Sequence, residues 1–291
     1  MGPALRLAPI EPAIAETATF LDATLDTLLP QPAGPEARLM EAMRYATMGG
    51  TQRLRAFLVL QSGRLFGVDR RALSRVAAAV ECVYASSAIR DDLPAGESTD
   101  QRQAKPPVQR AFDPVTARLA ADTLLVLAPG LLASAETHGD PFVRCDLVAK
   151  LAAAVGAGGM TGGRMIDLAL GMVEPSFAEL TRMARMKTAA LITFCCEAGA
   201  IMAKSSSSAR QALIAYGQEL GLAFQIASDI ERFSAENSTS TKPSVASLLG
   251  CDRAAAQAEA LAGQAASHLD LFDEKADLLR AAAFFVVRRQ A

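Results

Sequence analysis

"DRRALSRVAAAVECVYASSAIRDD", Asp69 to Asp92, decides the fold. Asp69 stands where a helix N-cap is wanted, and from Ala72 to Ile89 apolar residues return on nearly every side of a 3.6-residue turn. A helix that is apolar almost all round must be buried on all sides, so it belongs at the centre of a bundle. The helix closes on two adjacent acids, Asp91 and Asp92, and Pro94 and Gly96 then bend or end it.

The same pattern spreads outward in both directions. Upstream, residues 11–30 read as a first helix, broken by Pro30, Pro32 and Pro35. From Glu36 the apolar residues Leu39, Met40 and Met43 recur at helical spacing. Residues 54–67 form another helix, with Gly67 as a C′ glycine. Downstream, Asp113 and Pro114 are an N-cap and first-turn pair that starts a long helix. "PFVRCDLVAKLAAAVG" follows. Ser176 and Glu179 have capping-box spacing and open a helix predicted to run to Ala203. A helix entered from Ser205–Ser208 runs to about Phe233, and two more cover 252–268 and 273–289. No period-two alternation lasts long enough for a strand. The expectation is an all-α protein of roughly ten helices, a single domain over 1–291.

Composition agrees. The 291 residues are 51% apolar, with no Trp and three Tyr, which suits helices better than a β-sandwich. Lys and Arg total 29 against 31 Asp and Glu, so nothing suggests a nucleic-acid footprint. Five cysteines without metal-ligand spacing (Cys82, Cys145, Cys195, Cys196, Cys251) read as buried small hydrophobes of a reducing, cytoplasmic compartment. No signal peptide and no membrane span are expected.

Two segments carry candidate chemistry. "DDLPAGESTD" (Asp91–Asp100) and "SDIERFSAE" (Ser228–Glu236) each follow the C-terminal end of an apolar helix. Such placement fits two helices holding an ion at the mouth of a bundle. Oxygen-only ligands suit Mg²⁺, which prefers to be shared with phosphate oxygens. An apolar bundle with such a mouth suits a long, greasy diphosphate ester. Spacing alone leaves open that the first segment is only a solvated acidic loop.

From about residue 36 onward the chain resembles the trans-isoprenyl diphosphate synthases, notably the bacterial farnesyl and geranylgeranyl diphosphate synthases. The resemblance rests on "MGGTQRLRAFLVLQSGRLFG", "DDLPAGE", "AGGMTGGRMIDL", "RMKTAALITFCCEAGAI", "YGQELGLAFQIASDI" and "VASLLG". It implies an all-α homodimer that binds an allylic prenyl diphosphate with Mg²⁺. In such enzymes isopentenyl diphosphate attacks the allylic cation. Carried over by position, Asp91 and Asp92 match the first aspartate-rich motif, with Glu97 in its last place. Arg102 matches an arginine for the allylic diphosphate. Lys187 and Thr188 match the pair that grips it, Gln225 matches the glutamine before the second motif, and Lys242 the lysine before "VASLLG". In the second motif only Asp229 remains as a metal ligand. Arg232 occupies its last acidic place, and a guanidinium repels Mg²⁺.

The isopentenyl side departs further. Arg55 is kept, but Gln52, Tyr84 and Gln103 stand where the resemblance implies lysine, histidine and arginine. A charged hydrogen bond is worth about 1.5–3 kcal/mol, so three changes imply a loss on the order of a thousandfold in affinity. Three readings follow. The chain is a non-elongating homologue, partnering itself or an active paralogue; or a short-chain prenyltransferase working through altered residues, with Arg164 and Arg232 replacing a metal; or a lyase like class I terpene synthases, suggested by Asp229 and Glu236. Ser87 and Ser86, four and five positions before Asp91, are small where farnesyl-type relatives have bulky residues. They imply a tail pocket longer than farnesyl, unless they serve only close helix packing.

Overall fold

The computed structural model describes residues 9–49, 53–93, 105–170, 174–235 and 243–288. Among these residues the chain is helical, with no strand. It forms two compact units, Glu11–Leu60 with Asp69–Val148, and Gln61–Val68 with Ala149–Ala291.

The first unit holds α1 (Glu11–Leu28), α2 (Ala37–Thr47), the start of α3 (Leu54–Arg64), α4 (Arg70–Asp92), α5 (Val108–Ala111), α6 (Pro114–Ala133) and the start of α7 (Pro141–Val155). The Asp69 carboxylate accepts from the N–H groups of Arg71 and Ala72, which fixes where α4 begins. Asp113 caps α6 in the same way through Thr116, with Pro114 in the first turn. α4 packs on α1, α2 and α6 and is buried on most sides, from Leu73 to Ile89. Small residues let it approach α6 closely. Ser86 is fully buried, and its hydroxyl donates to the Ala121 carbonyl at 2.7 Å.

The second unit is built around α11 (Ser207–Ala235). Packed on it are α10 (Ala190–Met202), α12 (Val245–Leu249), α13 (Cys251–Ser267) and α14 (Asp277–Arg288). α8 (Met160–Leu170) and α9 (Phe177–Ala184) complete the unit. Tyr216 of α11 is fully buried and donates its hydroxyl to the Leu279 carbonyl at 2.7 Å, tying α14 down. Both halves of the predicted capping box form at Ser176 and Glu179. The helix they open is not continuous, however. It widens into one π-turn at Arg185–Ala189 before continuing as α10. α5, α8 and α12 are additional to the helices expected from periodicity.

One other expectation, that all five cysteines are buried, needs correction. Cys82, Cys195 and Cys196 are buried as expected, but Cys145 is exposed and Cys251 half-exposed. α4 and α6 are long and apolar enough to cross a membrane by length and composition. The apolar stretch of α4 is 72% buried within the protein, as a core helix should be, whereas that of α6 is 44% buried. Val115, Leu119 and Val126 lie on the exposed side of α6.

Candidate functional site

The candidate residues of the second unit converge on the π-turn. A π-turn inserts one extra residue per turn and so redirects the side chains it carries, here Lys187 and Thr188. The turn is gripped from two sides by glycines. A Cβ on Gly163 of α8 would lie 2.2 Å from the Lys187 backbone nitrogen, and one on Gly221 of α11 would lie 2.4 Å from the Ala189 Cα. Only glycine lets α8 and α11 come this near.

The close approach brings seven side chains together. The Lys187 ammonium donates to Asp167 Oδ2 at 2.8 Å, and Arg164 Nη1 donates to the same oxygen at 2.9 Å. The Thr188 hydroxyl donates to Gln225 Oε1. Gln225 Nε2 donates onward to Asp229 Oδ1 at 2.9 Å, and Arg232 Nη2 donates to that oxygen at 2.8 Å. The side chains of Asp167 and Asp229 are 4% and 2% exposed, so both carboxylates sit behind their cations. Burial pushes the Asp229 carboxyl above the ordinary carboxylate range, against the opposing pull of Arg232, Gln225 and Lys187. A divalent ion reaching Asp229 would have to displace a guanidinium.

The first unit carries the remaining residues. Arg53 precedes α3 with a φ of +24° and a side chain 4% exposed. Its guanidinium donates to Glu81 at 2.6 Å, to Asp22 at 2.6 Å and to the Thr47 carbonyl at 2.6 Å. This clip fixes the start of α3 against α4. Two residues later on α3, the Arg55 guanidinium stacks 3.7 Å above the ring of Tyr84. Such a stack is favourable by roughly 1 kcal/mol and holds the guanidinium flat against the ring. Nearby, Lys105 donates to the Met48 carbonyl at 3.1 Å, and the Tyr45 hydroxyl donates to the Pro106 carbonyl at 2.8 Å. Tyr45, Tyr84, Asp92 and Lys105 line a cavity of about 60 Å³, far below the few hundred Å³ of an ordinary ligand pocket.

Asp91 and Asp92 are the last residues of α4 and half-buried. The Asp92 carbonyl accepts from Gln109 at 2.6 Å. Their hard oxygens suit Mg²⁺ when phosphate oxygens complete its shell. Among the described residues no group of three or more His, Cys, Asp or Glu is gathered into a metal-ion cage. Glu97, Arg102 and Lys242 lie outside the described residues, as do Gln52, Gln103 and Glu236. Ser87 is half-buried one residue beyond Ser86, with Val80 and Val83 buried further along α4.

Comparison with known proteins settles the family. The sequence matches the Polyprenyl synthetase family over residues 36–268. The chain belongs to that family. It is 34% identical over 269 residues to farnesyl diphosphate synthase of Escherichia coli, covering 86% of this chain and 89% of that protein. It is 29% identical over 285 residues to geranylgeranyl diphosphate synthase of Cyanophora paradoxa, covering 94% of each. The solved apo structure of an FPP/GFPP synthase from Zymomonas mobilis matches with a TM-score of 0.89 and 42% identity, over 96% of this chain and 98% of that one. The all-α isoprenoid synthase fold expected from the sequence is the fold found.

Within this family member, Asp167 and the Arg53–Glu81 pair are structural findings that the sequence alone did not point to. Asp167 stood inside the quoted "GGRMIDL" stretch. Its signal was a lone acid, with Arg164 one turn before it, in an otherwise apolar segment.

Proposed function

We propose that this polyprenyl synthetase binds an allylic prenyl diphosphate and elongates it with isopentenyl diphosphate weakly or not at all. It would act as a non-catalytic or regulatory homologue, in a homodimer or beside an active paralogue, in the cytoplasm, as a single isoprenoid-synthase domain. The observation that carries the reading is the stack of Arg55 on Tyr84. Arg55 is the one cation that the resemblance leaves on the isopentenyl side, and it faces an aromatic ring.

The allylic side has more to work with. Lys187 is oriented by Asp167, and Thr188 by Gln225, so a diphosphate would meet donors whose geometry is already fixed. Asp91 and Asp92, with Glu97, would hold Mg²⁺, and the ion when bound neutralises diphosphate charge. Ser87 would face the tail. The exposed apolar residues Val115, Leu119 and Val126 on α6 support a second copy as its cover.

Names among the relatives favour one other reading, an active short-chain prenyltransferase. Incubation with Mg²⁺, farnesyl diphosphate and isopentenyl diphosphate separates the two. The proposal expects farnesyl diphosphate to bind without longer products. Steady formation of longer diphosphates overturns it. Restoring Gln52→Lys, Tyr84→His and Gln103→Arg together with Ser228→Asp and Arg232→Asp should then create elongation that no single change creates.

A further inference from the structure

We propose that Gln109 is a positioning residue: its amide holds the end of α4 so that Asp91 and Asp92 offer Mg²⁺ a fixed pair of carboxylates, and it does so at some loss of stability. The inference rests on the reading above and names the side chain behind its metal ligands. α4 ends in the two acids, and the last carbonyls of any helix lack partners within it. The usual remedy is a left-handed residue just past the helix, often glycine. Here Leu93 keeps helical angles of −64° and −39°, and the next residue in the sequence is a proline, whose ring excludes that turn. Instead Gln109 Nε2, 17 residues on, donates to the Asp92 carbonyl at 2.6 Å. The bond fixes the peptide that follows the second acid and opposes fraying of the turn that carries both.

The donor stands on a braced platform. Val108 beside it is buried, which seats α5. Tyr45 of α2 grips α5 at both ends: its hydroxyl donates to the Pro106 carbonyl at 2.8 Å, and its ring meets that of Phe112 edge-on at 5.6 Å. All of these contacts lie within the first unit. The orientation of the amide is set as well, since an oxygen turned toward the Asp92 carbonyl would repel it. Gln109 Oε1 then lies buried, with no donor among the described residues. A buried acceptor without a donor is destabilising, and an apolar side chain of the same length would avoid it. Packing thus gives no reason for an amide at this position, whereas holding the two acids does. Side chains that orient metal ligands from behind set metal affinity by about tenfold or more.

The test is calorimetry of geranyl diphosphate binding across a Mg²⁺ series, with thermal melting and hydrogen exchange of the metal-free protein, for Gln109→Met and Gln109→His. Methionine matches the length without a donor, and histidine keeps a ring N–H at similar reach. Gln109→Met should need about tenfold more Mg²⁺ for half-maximal binding. It should melt no lower than the unmodified protein, and its Arg90–Asp92 amides should exchange faster. Gln109→His, with the donor kept, should stay within about threefold of the unmodified Mg²⁺ requirement. A role in stability alone would move the melting temperature and leave the Mg²⁺ requirement where it was. Early melting of Gln109→Met therefore overturns the inference, and so does a Mg²⁺ requirement that this variant leaves unchanged. A requirement raised equally in Gln109→His overturns it too, because the donor is then not what matters. Binding of geranyl diphosphate by the unmodified protein in EDTA as tightly as in Mg²⁺ overturns this inference and leaves the proposed function standing. Failure of geranyl diphosphate to bind at any Mg²⁺ concentration overturns both.

Discussion

Replacing Gly163 by alanine should damage both stability and diphosphate binding, although alanine is the better helix former. The added methyl would sit 2.2 Å from the Lys187 backbone nitrogen and 2.6 Å from its Cα, where ordinary contact begins at 3.4 Å. The π-turn would therefore retreat from α8 by about 1.2 Å, the difference between 3.4 and 2.2. The obstacle is backbone, which cannot rotate away as a side-chain tip can. Overpacking of this kind costs about 1–3 kcal/mol. Helix propensity returns about 1 kcal/mol. The net expectation is a loss of up to about 2 kcal/mol, read as a lower urea midpoint at unchanged m-value. Displacing Lys187 and Thr188 by about an ångström should also weaken geranyl diphosphate binding at least tenfold by calorimetry, since misplacement on that scale can cost on the order of a hundredfold. Gly130 of α6 is the control, because a methyl there meets nothing within 4 Å. Gly130→Ala should leave binding unchanged and stability equal or higher. If Gly163→Ala matches the unmodified protein in midpoint and affinity, the glycine contact does not set the turn and the reasoning is refuted.

Three other outcomes can be checked directly. Glu81→Ala leaves the Arg53 guanidinium buried without its main counter-charge and should cost about 3–5 kcal/mol in urea unfolding, far more than a surface pair. Asp229 has a carboxyl raised by burial, so the folded state binds its proton more tightly than the unfolded state does. Its stabilising contribution is complete below the ordinary carboxylate range near pH 4 and is lost as pH rises through the raised folded value, so Asp229→Asn should gain on the unmodified protein between pH 4 and 7.5; urea midpoints across that range that run parallel would rule this out. Ser87→Phe should weaken geranylgeranyl diphosphate while sparing geranyl diphosphate, because each buried CH₂ of a longer tail is worth roughly 0.8 kcal/mol; equal affinities of the unmodified protein for the two tails would mean the pocket is short.

The architecture was legible in the sequence wherever local chemistry alone decides it. Asp69, the Asp113–Pro114 pair and the Ser176–Glu179 box satisfy backbone groups a few residues away, so their meaning survives without tertiary knowledge. The π-turn at Arg185–Ala189 was not legible. Its five residues carry no break signal, and what stabilises it is the approach of α8 and α11 through Gly163 and Gly221. The same limit applies at Ser86. Its smallness suggested either a tail pocket or close packing, and the bond to the Ala121 carbonyl shows that its hydroxyl serves the α4–α6 contact. That makes Ser87, half-buried beside it, the residue on which the tail-length argument now rests. The lysine–threonine pair could be proposed by position, but its hydrogen-bond partners could not, since Asp167 lies 20 residues from Lys187 and Gln225 lies 37 from Thr188.

The distribution of charge ties these strands together. A site that had merely decayed would be expected to leave its buried acids unpaired, because nothing would require a cation to appear beside each. Here every buried acid of the π-turn cluster is matched, Asp167 by Arg164 and Lys187, and Asp229 by Arg232. Meanwhile positions 52 and 103, where the resemblance implies cations, hold neutral glutamines. The neutral residues thus fall at positions that the resemblance assigns to isopentenyl diphosphate, whereas Arg164, Lys187 and Arg232 are cationic. An uncompensated buried carboxylate costs several kcal/mol, so the pairing stabilises the fold whatever else it does. The glycine contacts add a second constraint, because they hold the Lys187 backbone in place as Asp167 holds its ammonium, which fixes the donor that the proposed diphosphate would meet.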